Sequence, residues 1–234
     1  MSSEQKFIAL IPARKGSKGL INKNMLELLD KPLVQHTIEA ALDASLIDDI
    51  WVTSDDFAIL KLAESFGVNQ LKRPATFASD NSSSVDVVNH FISTIAQTSY
   101  CPNDFIVYLQ PTSPLRNKNH IDHAIRLLLE SQMHSLLSVT LARKSPFKSF
   151  LIDKSGKLQS LFEEQLSNAR RQDLQEVYMP NGAIYIFQIK EFIERNGIPS
   201  NGGIPFIMTE DDSIDIDEQE DLLRAENLLR IKNA

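Results

Sequence analysis

Strand-length apolar runs and helix-period segments take turns along most of this chain, and that alternation restricts the fold more than any single residue does. FIALI (7–11) is a short apolar run of strand length. PLVQHTIEAALDA (32–44) follows with helical spacing and a proline at its start, where the missing N–H does no harm. IWVTS (50–54) reads as a second strand, and DFAILKLAESFG as a helix closed by Gly67. A helix over 83–97, a strand at DFIVYL (104–109), a helix around 120–131 and a strand at SLLSVT keep the rhythm. This order predicts an α/β fold, a three-layer, mainly parallel sheet flanked by helices. In such sheets ligands bind beyond the carboxyl ends of the strands.

The rhythm breaks between Ala142 and Met179, where the chain turns polar and carries DKSGK, a hairpin-like turn between short strands. We read 1–234 as one domain with this segment, about 142–179, inserted as a small dimerisation flap. GAIYIFQ returns to strand pattern, GGIPFIM is another short strand, and DEQEDLLRAENLLRI closes as an amphipathic helix.

Charge narrows the function. The 234 residues carry a formal net charge of -7, which argues against a protein that coats nucleic acid. Yet the loop after the first strand gathers Arg14, Lys15, Lys18 and Lys23, with no acid between Gln5 and Leu26. Cations concentrated in an acidic chain point to a small anionic ligand held in one cleft. Gly16 and Gly19 permit backbone conformations that turn N–H groups toward an anion, so the loop reads as a polyphosphate nest; a solvated surface loop is the plain alternative. Neither G-x-x-x-x-G-K-[ST] nor G-x-G-x-x-G occurs, which removes the best support for kinase and dehydrogenase readings. One cysteine, Cys101, excludes an internal disulfide and a Cys-rich metal site. No apolar run approaches the roughly 18 residues of a membrane span, and MSSEQK lacks the apolar stretch of a signal peptide, so a cytoplasmic protein without membrane contact is expected.

Near the other end, SIDID alternates Ile214 and Ile216 with Asp215 and Asp217. An extended backbone puts both carboxylates on one face, about 7 Å apart, suited to sharing a Mg²⁺. Asp217 and Glu220 also form a D-x-x-E capping box ahead of the last helix, so two roles are open to Asp217. QPTSPLR follows the third strand at a carboxyl end; Gln110 offers a donor and an acceptor, while a plain proline-rich turn would leave Arg116 on the surface. Asp55 and Asp56 read as caps of the next helix, and His120 and His123 as surface residues rather than metal ligands.

Taken in order, IPARKGSKGLINKN, KRPATFASDNSSS, YLQPTSPLR, SPFK, RRQDL, PNGAIYIF and DSIDIDEQEDLLRAE resemble the bacterial CMP-sialic acid synthetases, cytidylyltransferases that activate nine-carbon 2-keto-3-deoxy sugar acids. The likeness spans nearly the whole chain. It implies a nucleotide-diphospho-sugar transferase-like fold, CTP and a sugar acid as substrates, Mg²⁺ or Mn²⁺ as cofactor, and a homodimer through the flap. It implies that Arg14, Lys18 and Lys23 face the triphosphate as the catalytic cations, with Ala13 and Asn24 on the CTP side. Arg73 with Ser83 or Ser84 matches positions that grip cytosine, and Gln110 faces ribose and sugar. Lys148 and Arg171 match positions near the sugar acid, with Arg170 a rival and a partner subunit one possible source. Tyr185 packs against the sugar or fills the core. Asp215 and Asp217 complete the metal site. GIPSNGG (197–203) stands where sialic-acid enzymes can carry an aromatic pair, which leaves the particular sugar open among sialic, legionaminic, pseudaminic and octulosonic acids.

Overall fold

The computed structural model describes residues 5–16, 19–78, 82–95 and 100–232. The first strand, β1 (Phe7–Pro12), leads through a loop into a two-residue ribbon, β2 (Glu27–Leu28) and β3 (Lys31–Pro32), and then α1 (Leu33–Leu42). β4 (Asp49–Ser54), α2 (Phe57–Ser65), β5 (Asn69–Lys72) and α3 (Ser84–Ile95) follow, then β6 (Phe105–Tyr108), α4 (Lys118–Ser131) and β7 (Ser135–Leu141). The chain leaves the sheet for a hairpin of β8 (Phe150–Ile152) and β9 (Leu158–Ser160) and the short α5 (Glu164–Asn168). It returns as β10 (Tyr178–Gln188) and ends with α6 (Ile189–Arg195), β11 (Ile204–Ile207) and α7 (Gln219–Lys232).

Seven strands form the central sheet in the order β11-β7-β10-β6-β1-β4-β5. All neighbours run parallel except β10, which is antiparallel to both β6 and β7. Strand periodicity divides the core cleanly. Phe7, Ala9 and Ile11 of β1 join Val34, Ile38, Ile59 and Ile125 from α1, α2 and α4 on one face. Ile8 and Leu10 join Val88 and Phe91 of α3 and Phe192 of α6 on the other. The expected three layers are therefore present, and each fully buried aliphatic side chain contributes about 1.5–3 kcal/mol. A third cluster packs Leu222 and Ala225 of α7 against Leu28, Leu33, Leu115, Ile214 and Ile216. That cluster carries the acidic segment to the sheet's carboxyl end.

Two elements escape a reading of periodicity. β5 sits at the sheet edge with Leu71 as its sole buried residue, so its sequence has no apolar alternation. The β2–β3 turn places Leu29 and Asp30 at φ 51° and 62°, the geometry of a type I′ turn, without the glycine that advertises one.

Candidate active site

A cleft of about 290 Å³ opens beyond the carboxyl ends of β1 and β6. One wall comes from the basic loop, with Arg14, Gly16, Lys23 and Asn24. The opposite wall holds Asp215 and Asp217; Arg73, the serines 82–84 and Tyr108 close one end, and Gln110, Pro111 and Thr112 another part of the lining. Residues at the two ends of the chain thus share one concave surface.

The loop is held from several sides. Ala13 is fully buried and continues β1 by donating its N–H to the Thr53 carbonyl at 3.0 Å, so it acts through the backbone. Asn24, also buried, donates its Nδ2 to the Arg14 carbonyl at 2.8 Å. The Lys15 N–H donates to Asp55 Oδ1 at 2.8 Å, so Asp55 anchors the loop while Asp56 alone caps α2. Gly16 does not occupy the left-handed region, and a Cβ there would meet open space. Gly19 matters through its missing side chain: a Cβ would overlap the Asp217 carbonyl oxygen. The expectation that both glycines supply special backbone conformations is corrected for Gly16; at Gly19 the visible constraint is close approach. Lys18 lies outside the described residues.

Lys23 draws the two walls together. Its Nζ donates to the Ile216 carbonyl at 2.7 Å and to Asp217 Oδ1 at 2.9 Å, with the lysine side chain 13% exposed and the aspartate side chain 73%. The capping box expected of Asp217 and Glu220 is not formed. Asp221 instead accepts from the Asp217 and Glu218 N–H groups, at 3.1 and 2.9 Å, and leaves the Asp217 carboxylate to the cleft. SIDID lies outside the regular strands, yet its alternation holds: Ile214 and Ile216 are buried, both aspartates line the cleft, and the Ile216 N–H donates to the Thr112 carbonyl at 2.8 Å. Desolvation raises the Asp215 pKa, the neighbouring Asp217 charge raises it further, and a hydrogen bond from Thr112 and the Lys23 charge oppose them.

At the far end the two serines make different contacts. Ser83 accepts from the Asp86 N–H at 3.2 Å, and Asp86 accepts from the Ser83 N–H at 2.8 Å, a reciprocal cap for α3. Ser84 hydrogen-bonds instead with Tyr108, whose burial raises the phenol's pKa. Arg73 is 4% exposed; its Nη2 donates to the Thr53 carbonyl at 2.7 Å, and burial lowers its pKa against the pull of Tyr108 and Asp55. Ser84, Tyr108 and Arg73 therefore form one polar corner. Tyr108 escaped sequence reading because it completes an apolar strand; the signal was its place at that strand's carboxyl end.

Gln110 reaches the cleft through an unusual neighbour. Gly182 has φ +77°, and a Cβ there would lie 2.7 Å from Gln110 Oε1 and 3.7 Å from Asp215 Oδ2. It sits where the β10–β7 register shifts between Pro180 and Tyr185. A glycine inside a strand pattern was the available signal for such a bulge. Beside it, buried Asn181 accepts from Ser138 Oγ at 2.5 Å and donates to Ser213 Oγ at 2.9 Å, which ties β7 and β10 to the acidic segment. Arg116 is 1% exposed, which overturns the surface placement of the plain-turn reading.

Other candidates lie elsewhere. Tyr185 packs edge-to-face on Tyr108, ring centroids 6.1 Å apart, and partly against the α3 side of the core; it does not line the cleft, although burial and then the nearby charge of the cleft's Asp215 raise its pKa. Lys148 and Arg171 are exposed in the flap, away from the cleft; Arg171 donates to the Arg143 carbonyl at 2.8 Å, and Arg170 pairs with Asp173 at 2.7 Å. His120 is half-buried, caps α4 with Asn117 and faces Asp212, whereas His123 is exposed. Among the described residues no group of three or more His, Cys, Asp or Glu side chains could hold a metal alone. Two carboxylates that leave most positions to phosphate oxygens and water fit a Mg²⁺ brought with a nucleotide.

The chain has named relatives. A cytidylyltransferase family model matches residues 8–232. An N-acylneuraminate cytidylyltransferase of Escherichia coli O18:K1:H7 is 36% identical over 97% of this chain and 53% of its own length. The chain thus spans about half the length of that curated relative. A pseudaminic acid cytidylyltransferase of Campylobacter jejuni is 30% identical over 97% of this chain and 98% of its own. In fold, a CMP:2-keto-3-deoxy-manno-octonic acid synthetase complexed with CTP superposes with TM-score 0.69 at 15% identity, covering 97% of this chain and 100% of the other. On the match over 8–232, this chain belongs to the cytidylyltransferase family.

Proposed function

We propose that this chain transfers CMP from CTP to the anomeric hydroxyl of a nonulosonic acid and releases pyrophosphate. The observation that carries the reading is the meeting, across one cleft, of Arg14, Lys23 and Asn24 with Asp215 and Asp217. The anomeric oxygen attacks the α-phosphorus as the bond to the bridging oxygen of pyrophosphate breaks, a reaction governed by positioning and charge stabilisation. Arg14, Lys18 and Lys23 neutralise the departing pyrophosphate. Lys23, paired with Asp217 in the free cleft, turns to the phosphates when CTP enters. Asn24 keeps the loop in place through the Arg14 carbonyl. Arg73 and Ser84 read the cytosine, and Gln110 orients ribose and sugar. Asp215 and Asp217 would hold Mg²⁺, or Mn²⁺, which supplies Lewis acidity to the phosphate oxygens.

The protein acts as a homodimer joined through the flap, in the cytoplasm, where CTP is available. Supporting the dimer, the flap hairpin exposes Phe150, Leu151, Ile152 and Leu158, the last two at 75% and 71%. Lys148 and Arg171 then serve the sugar-acid end of a second copy's cleft, where a guanidinium can hold a carboxylate with two parallel hydrogen bonds. N-Acylneuraminate is the acceptor we favour. Pseudaminate is the second reading, motivated by a relative of that name that matches end to end. Pyrophosphate release from CTP with sialic, legionaminic, pseudaminic and octulosonic acids tests both. We expect turnover with a nine-carbon acid; release with the octulosonic acid alone would move the enzyme to another branch, and release with none would refute the reading.

A further inference from the structure

Arg116 has no part in the reaction described so far, yet it occupies a costly position. Its guanidinium is buried beneath the cleft floor, no carboxylate among the described residues pairs with it, and burial lowers its pKa to about 9. A methionine would fill similar space without desolvating a charge, and such replacements of buried ions are often neutral or stabilising. Fold stability alone therefore gives little reason for an arginine. A planar fork of donors can do something that an apolar side chain cannot.

Its contacts say what. Nη1 donates to the Gln110 carbonyl at 3.1 Å and to the Ala183 carbonyl at 3.0 Å, and so joins the turn after β6 to β10. Nη2 donates to Thr37 Oγ1 of α1 at 2.6 Å, a contact separate from those two carbonyls. Pro111 and Pro114 deprive the turn of two backbone donors. Gln110 stands in the cleft, and Ala183 follows Gly182, whose bare Cα faces both Gln110 Oε1 and Asp215 Oδ2. We propose that Arg116 is a positioning residue for the acceptor side of the cleft: from below, it holds the Gln110 turn against the Gly182 bulge and so sets the spacing between Gln110 and Asp215. The proposal rests on the nucleotidyl-transfer reading above. Among the described residues of the phosphate loop and the Arg73 corner none receives a hydrogen bond from Arg116, so of the nucleotide's contacts only the ribose end at Gln110 and the metal end at Asp215 fall within its influence.

The experiment compares Arg116→Lys, Arg116→Met, Thr37→Val and Gly182→Ala with the wild-type dimer, using whichever nine-carbon acid the wild type turns over. Melting temperature, CTP Kd and steady-state constants are measured well below each variant's transition. Both Arg116 variants should keep CTP Kd within about threefold, lose about 10²-fold in kcat and show a raised KM for the acid, the scale expected of a small misplacement. Gly182→Ala, which disturbs the same spacing from the other side, should show the same split. Thr37→Val should lower the melting temperature and leave kcat/KM unchanged. Wild-type turnover in folded Arg116→Met overturns the proposal, as does a Thr37→Val defect equal to that of Arg116→Lys. Should the Arg116 variants fail to fold, intact turnover in Gly182→Ala overturns it. A wild type inactive with every acid ends the underlying reading and this proposal together, whereas an active wild type beside an equally active Arg116→Met ends only this one.

Discussion

The cleft and the flap solve opposite problems. In the cleft several polar groups have partners within the chain: Asn24 holds Arg14, Asp55 holds Lys15, and Lys23 bridges to Asp217. The flap is closed at its own base, where the Ala142 N–H donates to the Val177 carbonyl at 2.8 Å, and its hairpin leaves large apolar side chains in solvent. A preorganised charged site costs little reorganisation when a nucleotide arrives. An apolar surface of that kind gains its stabilisation only when something covers it. The contrast motivates the proposal that the nucleotide half is complete in one chain while the acceptor half draws on a second.

The sharpest way to break this contrast is at Lys23. Lys23→Ala should lower kcat by about 10²-fold or more, because a charge aimed at the departing pyrophosphate is lost. Near-normal turnover would remove that role. Next comes the flap. Ile152→Glu combined with Leu158→Glu should convert the proposed dimer to monomer in light scattering. It should lower kcat/KM for the sugar acid by about 10-fold or more, with CTP Kd unchanged, since an interface's central apolar anchors carry most of its energy. A monomer with full activity would show that one chain contains the whole site.

The smallest effect is thermal. Asp215 has a raised pKa in the folded cleft, so the unfolded chain ionises first and stability is lost as pH rises from the ordinary value through the raised one. Asp215→Asn should therefore melt a few degrees higher than wild type at neutral pH, even though on the proposed function it should lose metal-dependent turnover. The sign follows from linkage: below the ordinary value of 3.8 the wild-type carboxyl is neutral in both states and the difference closes. Scanning calorimetry across pH tests it; an equal or lower melting temperature at neutral pH would mean that the charge is well compensated in the free protein.

Much of the architecture was legible because its causes are local. β1, β4 and β6 announce themselves by apolar runs, α1 and α4 by spacing, and the flap hairpin by Asp153 and Gly156, where the Asp153 side chain accepts from the Ser155 and Lys157 N–H groups at 2.8 and 2.9 Å. The site was legible in part: Arg14, Lys23, Arg73, Gln110 and both aspartates share the cleft, whereas Gly182 and Tyr108 were hidden in strand patterns that their neighbours satisfy.

What the order of residues settled alone is whatever a dozen neighbours can enforce: period-two strands, helix spacing, a cation-rich loop, aspartates alternating with isoleucines. Packing decided the rest. Ser83 rather than Ser84 became the helix cap, Arg116 went inward, and Lys23 found Asp217 because sheet order and α7 bring distant segments to one edge. Such partners are set by the position of whole elements, and short-range patterns carry no record of that position.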